Sequence, residues 1–200
     1  MSCAAIVDCM PSQLAVATPG DEPDRASLFF GQEICERPGR QWWVFYTKSR
    51  QEKAFSQYLL RRHVPHYLPL HKKHTLSRGR RLTFFVPLFS GYVFLLADSE
   101  ERIAALESNR VARTITVPAW RQIQLESDLG QIRRLIESGV PLTAESRVQP
   151  GERVRVKSGH LAGLEGIVTK RRGGSRLLVA VDYLQQGASI ELHDFALEIV

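Results

Sequence analysis

The sequence holds only three cysteines, Cys3, Cys9 and Cys35, an odd number with no CxxC pair among them. Neither a disulfide framework nor a cysteine-based zinc site is indicated, and a reducing compartment fits this usage. No apolar run approaches the roughly 18 residues that a membrane span requires. Residues Met1 to Met10 carry no positive side chain and place Asp8 inside their apolar stretch, unlike a secretory signal. The expectation is a cytoplasmic protein with no membrane segment. GxSxG, Walker and dinucleotide-binding fingerprints are missing as well. His63, His66, His71 and His74 lie close together, but their spacing crosses a helix end, Pro65 and a strand, and no cysteine or paired carboxylate joins them. No enzyme, no metal and no cofactor are expected.

What is present describes a globular chain. Hydrophobic residues at 44% and charged residues at 24% allow a real core, and 200 residues suit two small domains. The 27 Lys plus Arg against 21 Asp plus Glu, a formal charge of +6, favour contact with polyanions.

Residues 1–40 show no sustained periodicity and are punctuated by Pro11, Pro19, Gly20, Pro23, Pro38 and Gly39, which reads as a loose extension. From Gln41, the run Trp42-Trp43-Val44-Phe45-Tyr46 predicts a strand buried on both faces. Ser49 and Glu52 form a capping-box pattern ahead of a helix from about Arg50 to His63, with Phe55, Tyr58 and Leu59 on one side. Lys72, Lys73, Arg78, Arg80 and Arg81, with no acid among them, read as an exposed loop. Leu82–Val86 and Tyr92–Leu96 read as the two strands of a hairpin. Asp98 and Glu101 cap a short helix, Arg113–Val117 forms a strand, and Leu125, Leu129, Ile132 and Ile136 mark a helix from Glu126 to Ser138. Beyond a linker at 139–147 the period switches to two: Arg153–Val156, Ile167–Val168, Leu177–Val181 and Ser189–Leu192 are short strands between glycines, as in a small barrel.

The expected fold class is therefore α+β. It comprises an extension over 1–40, a mixed α/β sandwich over 41–138 with an antiparallel sheet flanked by helices, and an all-β barrel over 148–200. The stretch Gly151-Glu152-Arg153-Val154-Arg155-Val156-Lys157-Ser158-Gly159-His160-Leu161-Ala162-Gly163-Leu164-Glu165-Gly166-Ile167-Val168 resembles a KOW motif, the signature of an SH3-like barrel. Trp42 to Lys48, the helix after it and Pro87-Leu88-Phe89-Ser90-Gly91-Tyr92-Val93-Phe94 resemble the N-terminal domain of the NusG family. That domain followed by KOW makes the case for a NusG-type factor, whereas KOW alone also occurs in ribosomal proteins.

The resemblance implies a non-enzymatic regulator of transcription elongation that binds the RNA polymerase clamp and modulates pausing, termination or antitermination. The matching aromatic positions are Tyr46, Phe89, Tyr92 and Phe94, with Phe94 serving equally as core or interface. Thr47 to Ala54 resembles the specialised RfaH-like members, which also touch non-template DNA. Lys48 matches a position used for this, and Arg110 matches another across a one-residue gap. Lys72, Lys73, Arg78, Arg80 and Arg81 either add phosphate contacts or form a solvated loop. The polar motif with which RfaH holds the opposite pincer is absent between Arg102 and Glu107. In that relative the KOW domain reaches a helical fold, but the glycines and β-alternation here predict a barrel. Leu161 and Leu164 match an apolar tip that recruits termination factor Rho or a small-subunit ribosomal protein, with Leu164 the more core-like. A monomer is expected. The alternative reading is a ribosome- or RNA-associated KOW protein.

Overall fold

The computed structural model describes residues 39–77, 80–147, 151–171, 174–192 and 197–199. The extension expected over 1–40 therefore lies almost wholly outside the described residues.

Four antiparallel strands form the first sheet: β1 (Gln41–Thr47), β2 (His66–Tyr67), β5 (Tyr92–Ala97) and β6 (Val111–Thr116), in the order β2-β5-β1-β6. Strand β1 is central, with Tyr46 opposite Tyr92 on one side and opposite Arg113 on the other. Because side chains alternate along a strand, its aromatic run feeds both faces. Trp43 and Phe45 join Val93, Leu95 and Ala97 on the face covered by helices α1 (Glu52–Arg61) and α2 (Ser99–Leu106), where Phe55, Leu59 and Ala105 close the core. Trp42 and Val44 join Phe94 on the other face, where Leu125, Leu129 and Ile132 of α3 (Gln122–Glu137) pack.

The helix starts differ in their chemistry. At α2 the expected capping box is present: Glu101 N–H donates to Asp98 Oδ1 at 2.9 Å and Asp98 N–H to Glu101 Oε2 at 3.1 Å. At α1 it is not. The helix begins at Glu52, Gln51 occupies the cap without a side-chain bond, and the buried Glu52 carboxylate accepts from Gly91 N–H at 2.8 Å. The expected box fails because a longer-range partner claims the carboxylate, while Arg50, at φ 57°, turns the chain ahead of the helix.

The described part of the basic segment is also strand, not loop. Strand β3 (Leu70–Ser77) pairs along its length with β4 (Arg80–Pro87) as a separate two-stranded ribbon. The expected hairpin of Leu82–Val86 with Tyr92–Leu96 does not form, since both edges of β5 are taken by β1 and β2.

The C-terminal region is a six-stranded antiparallel sheet wound around its own core: β7 (Leu142–Glu145), β8 (Glu152–Val156), β9 (Glu165–Arg171), β10 (Gly174–Val181), β11 (Gln186–Glu191) and β12 (Leu197–Ile199), in the order β12-β8-β9-β10-β11-β7. Val154, Val156, Leu164, Leu177, Val179, Val181, Ala188 and Ile190 fill it. Gly166 is needed for close approach, because a Cβ there would lie 2.6 Å from the Leu178 carbonyl oxygen. Strand β7 comes from the stretch expected to be a linker, and it pairs with the free edge of β11.

Helix α3 lies between the two halves. Its Gln124, Asp128 and Gln131, spaced to share one side, line a cavity of about 120 Å³ together with Arg153, Glu165 and Asp182 of the barrel. Asp182 N–H donates to Asp128 Oδ2 at 2.9 Å, and Glu165 N–H to Gln131 Oε1 at 2.8 Å. Arg134 Nη2 donates to Ala162 O at 2.6 Å, and Tyr183 Oη to Thr116 O at 3.0 Å. The apolar cluster is also continuous from sheet to barrel.

Candidate functional site

Tyr46, Tyr92 and Arg113 form a row across three neighbouring strands at one end of the first sheet. The register places them opposite one another, the Tyr46 and Tyr92 ring centroids are 5.1 Å apart and edge-on at 68°, and the Arg113 guanidinium lies 5.1 Å from the Tyr46 centroid. Both tyrosines are half-buried and Arg113 is exposed. Gly91 makes room for them: its φ is +84°, and a Cβ there would sit 2.8 Å from Tyr46 Cε2. The Glu52 bond to Gly91 N–H ties this turn to the start of α1.

Beside the row, two loops meet. Lys48 N–H donates to Arg110 O at 2.8 Å, Lys48 Nζ to Asn109 Oδ1 at 2.9 Å and Arg110 Nη1 to Gln51 Oε1 at 2.6 Å. Arg50 and Asn109 adopt left-handed backbone, φ 57° and 55°, which lets both chains turn tightly there. Lys48 and Arg50 are exposed, whereas Arg110 is half-buried and its Nε has no hydrogen-bond partner among the described residues. The acid within this cluster, Glu52, is buried on Gly91, so the corner presents positive charge beside aromatic surface.

Residues 40–135, which build this sheet, its helices and the ribbon, match the family model described as Transcription termination factor nusG. Residues 40–135 form a NusG-family domain. Proteins of this NusG family are transcription factors. Among solved structures, one reported as domain interaction in Thermotoga maritima NusG is 16% identical, with 80% of this chain and 97% of that chain covered and a TM-score of 0.47. An MjSpt4:Spt5 complex in conformation A is 11% identical over 79% of this chain and 98% of that chain, with a TM-score of 0.27. Its conformation B is 12% identical over 80% and 97%, with a TM-score of 0.25.

Within this NusG-family framework the four expected aromatic positions divide. Tyr46 and Tyr92 reach the surface, while Phe89 and Phe94 are 1% and 0% exposed and meet edge-on at 6.1 Å beneath them. Phe89 and Phe94 thus support the tyrosine pair from below in this arrangement and offer no surface of their own. Lys48 and Arg110, 62 positions apart in sequence, are brought together as expected candidates for one site, but Arg110 holds the loop while Lys48 faces solvent.

Lys72 and Lys73 are exposed on β3. The ribbon also exposes Leu76, Leu82 and Phe84. Arg80 and Arg81 belong to β4 by backbone pairing with Ser77 and Leu76, their side chains being outside the described set, and Arg78 lies outside the described residues altogether.

Leu161 and Leu164 are both buried, at 2% and 0%. The expected exposed tip at Leu161 is not exposed here: the turn holding both leucines lies against α3 through the Arg134 and Gln131 bonds. Among the four histidines, His66 is sealed between Ser56 Oγ, 2.7 Å from Nε2, and Val64 O, 2.9 Å from Nδ1. Burial holds its pKa below the usual imidazole range. His71 is lowered too, by burial and then by the Lys73 charge. No cluster of metal-ligating side chains is found among the described residues, and no described helix is long and apolar enough to cross a membrane.

Arg113 and Asn109 carry no site signal in the sequence, and Arg50 and Gln51 only as part of the Thr47–Ala54 stretch. A basic residue in a short strand carries no signal until the register places it opposite Tyr46.

Proposed function

We propose that this protein is a transcription elongation regulator that docks on the clamp of RNA polymerase through the Tyr46–Tyr92 corner and modulates pausing, antitermination or termination. The observation that supports it most is the division of the sheet end: two tyrosines half-open above two sealed phenylalanines, beside a cluster of uncompensated bases. An apolar body with a polar ring end suits an interface rim.

Lys48 and the β3–β4 ribbon then lie toward nucleic acid, Lys72 and Lys73 making sequence-independent phosphate contacts that weaken with salt. Thr47 to Ala54 supports placement among the specialised RfaH-like members. The KOW-like barrel recruits a further partner, Rho or a small-subunit ribosomal protein. Capture at Leu161 requires the 161–165 turn to leave α3.

Pull-down of core RNA polymerase by wild type and by Tyr92→Ala tests the docking. Binding lost in the variant supports the reading, and unchanged binding removes the assigned corner. A second reading, a ribosome-associated RNA-binding protein, draws on the base-rich ribbon with its exposed Phe84. Co-sedimentation with ribosomes in polymerase-depleted lysate is the result that favours it.

A further inference from the structure

The row across the sheet end finishes on a cation that meets no carboxylate among the described residues. Arg62 stacks on Tyr58 at 4.7 Å and Arg121 on Trp120 at 4.6 Å. Each of these also reaches a carboxylate, Arg62 on Glu107 at 3.8 Å and Arg121 on Asp182 at 3.2 Å. Arg102 stacks on Trp43, half-buried, on the opposite face of the sheet. Arg113 is exposed and stacked on Tyr46, and it makes no ion pair among the described residues.

Stacking fixes the plane of a guanidinium while leaving its donor fork free, which preorganises it for bidentate bonds to a planar anion. The rows flanking it, Tyr46–Gln51, Phe89–Phe94 and Ser108–Thr114, contain no acidic residue.

We infer that Arg113 is a specificity-determining contact that receives a carboxylate of the docking partner. The corner then recognises a protein surface of aliphatic side chains bordered by acid. This rests on the docking reading above. Two features favour a protein acidic side chain over a nucleotide phosphate at this position. The tyrosines meet edge-on and are half-buried, and one face of Tyr46 is already covered by Arg113, which takes from a base the ring face nearest Arg113. Arg113 also lies on the face of the sheet, in line with the tyrosines, while the bases suited to phosphate, Lys48 and Arg50, lie past the end of β1.

The test compares full-length wild type, Arg113→Gln, Arg113→Glu, Arg113→Lys and Tyr92→Ala for binding to core RNA polymerase at low and moderate salt. A parallel series uses a single-stranded DNA oligonucleotide. Thermal midpoints of all variants verify folding. Arg113→Gln is expected to weaken polymerase binding by about fivefold or more and to flatten its salt dependence. Arg113→Glu weakens it further, and Arg113→Lys falls between, keeping the charge without the fork. Oligonucleotide binding is expected to be unchanged in Arg113→Gln. If Tyr92→Ala loses polymerase while the Arg113 variants do not, the inference is overturned and the docking reading stands. If neither site matters, both fail. If Arg113→Gln loses only the oligonucleotide, the group received is a phosphate and the carboxylate assignment is overturned.

Discussion

The two faces of the first sheet use the same kinds of residue to opposite ends. On one, Trp43, Phe45, Val93 and Leu95 are roofed by α1 and α2, and Phe55 and Leu59 seal the core to zero exposure. On the other, Trp42, Val44 and Phe94 are covered by α3, but the cover stops short of Tyr46 and Tyr92. The closed face stabilises the domain, whereas the open end leaves ring surface uncovered, as the proposed docking requires. A strand that is apolar on both sides can therefore serve stability and docking together, the division being set by where the helices end.

Substitutions separate the two roles. Phe55→Ala on the closed face is expected to cost about 3–5 kcal/mol in denaturant unfolding, while Tyr92→Ala, removing a half-exposed ring, costs well under that and acts on binding. A similar loss at both positions would erase the distinction. Next in size, Glu52→Ala strands the buried Gly91 N–H and removes a charged acceptor, for a loss of about 1.5–3 kcal/mol. The same variant should weaken polymerase binding, because the Gly91 turn positions both tyrosines.

The closed face also carries a pH dependence. His66 has its pKa lowered by burial, so its unfolded form takes up a proton first as pH falls. Its contribution to stability is complete above the unfolded value of 6.5 and is lost as pH falls below it toward the folded pKa, at no more than about 1.4 kcal/mol per pH unit. Unfolding measured between pH 7.5 and 5 should show this slope in wild type and a shallower one in His66→Gln.

The smallest effect concerns the barrel. Arg134→Ala deletes one exposed hydrogen bond across α3 and should change global stability by less than about 1 kcal/mol. It should nevertheless raise the population in which the 161–165 turn leaves α3, read as increased energy transfer distance between labels on α1 and the barrel. An unchanged distance distribution would show that the remaining hydrogen bonds and apolar contacts hold the two halves together without Arg134.

Much of this is legible in the sequence. The double-sided burial of β1, the Asp98–Glu101 cap, the α3 stripe and the barrel strands follow from periodicity and capping chemistry, which are local. What escaped was decided at a distance. Glu52 was drawn from its expected cap by Gly91, 39 positions on. The ribbon emerged because His71 to Leu76 found β4, and β7 because an otherwise polar stretch found the edge of β11. The KOW turn looked like a free tip, since nothing in its own residues announces that Arg134 and Gln131 will meet it. Arg113 was missed for the same reason, as β1 and β6 are joined only by register.

The most direct measurement is the affinity of core RNA polymerase for full-length wild type and for a Tyr46→Ala/Tyr92→Ala double variant whose thermal unfolding shows an intact fold. A drop of tenfold or more, with Lys53→Ala at an exposed position of α1 unaffected, is the predicted result. Equal affinity for the double variant and wild type would contradict it, leaving the open end of the sheet without the role given to it.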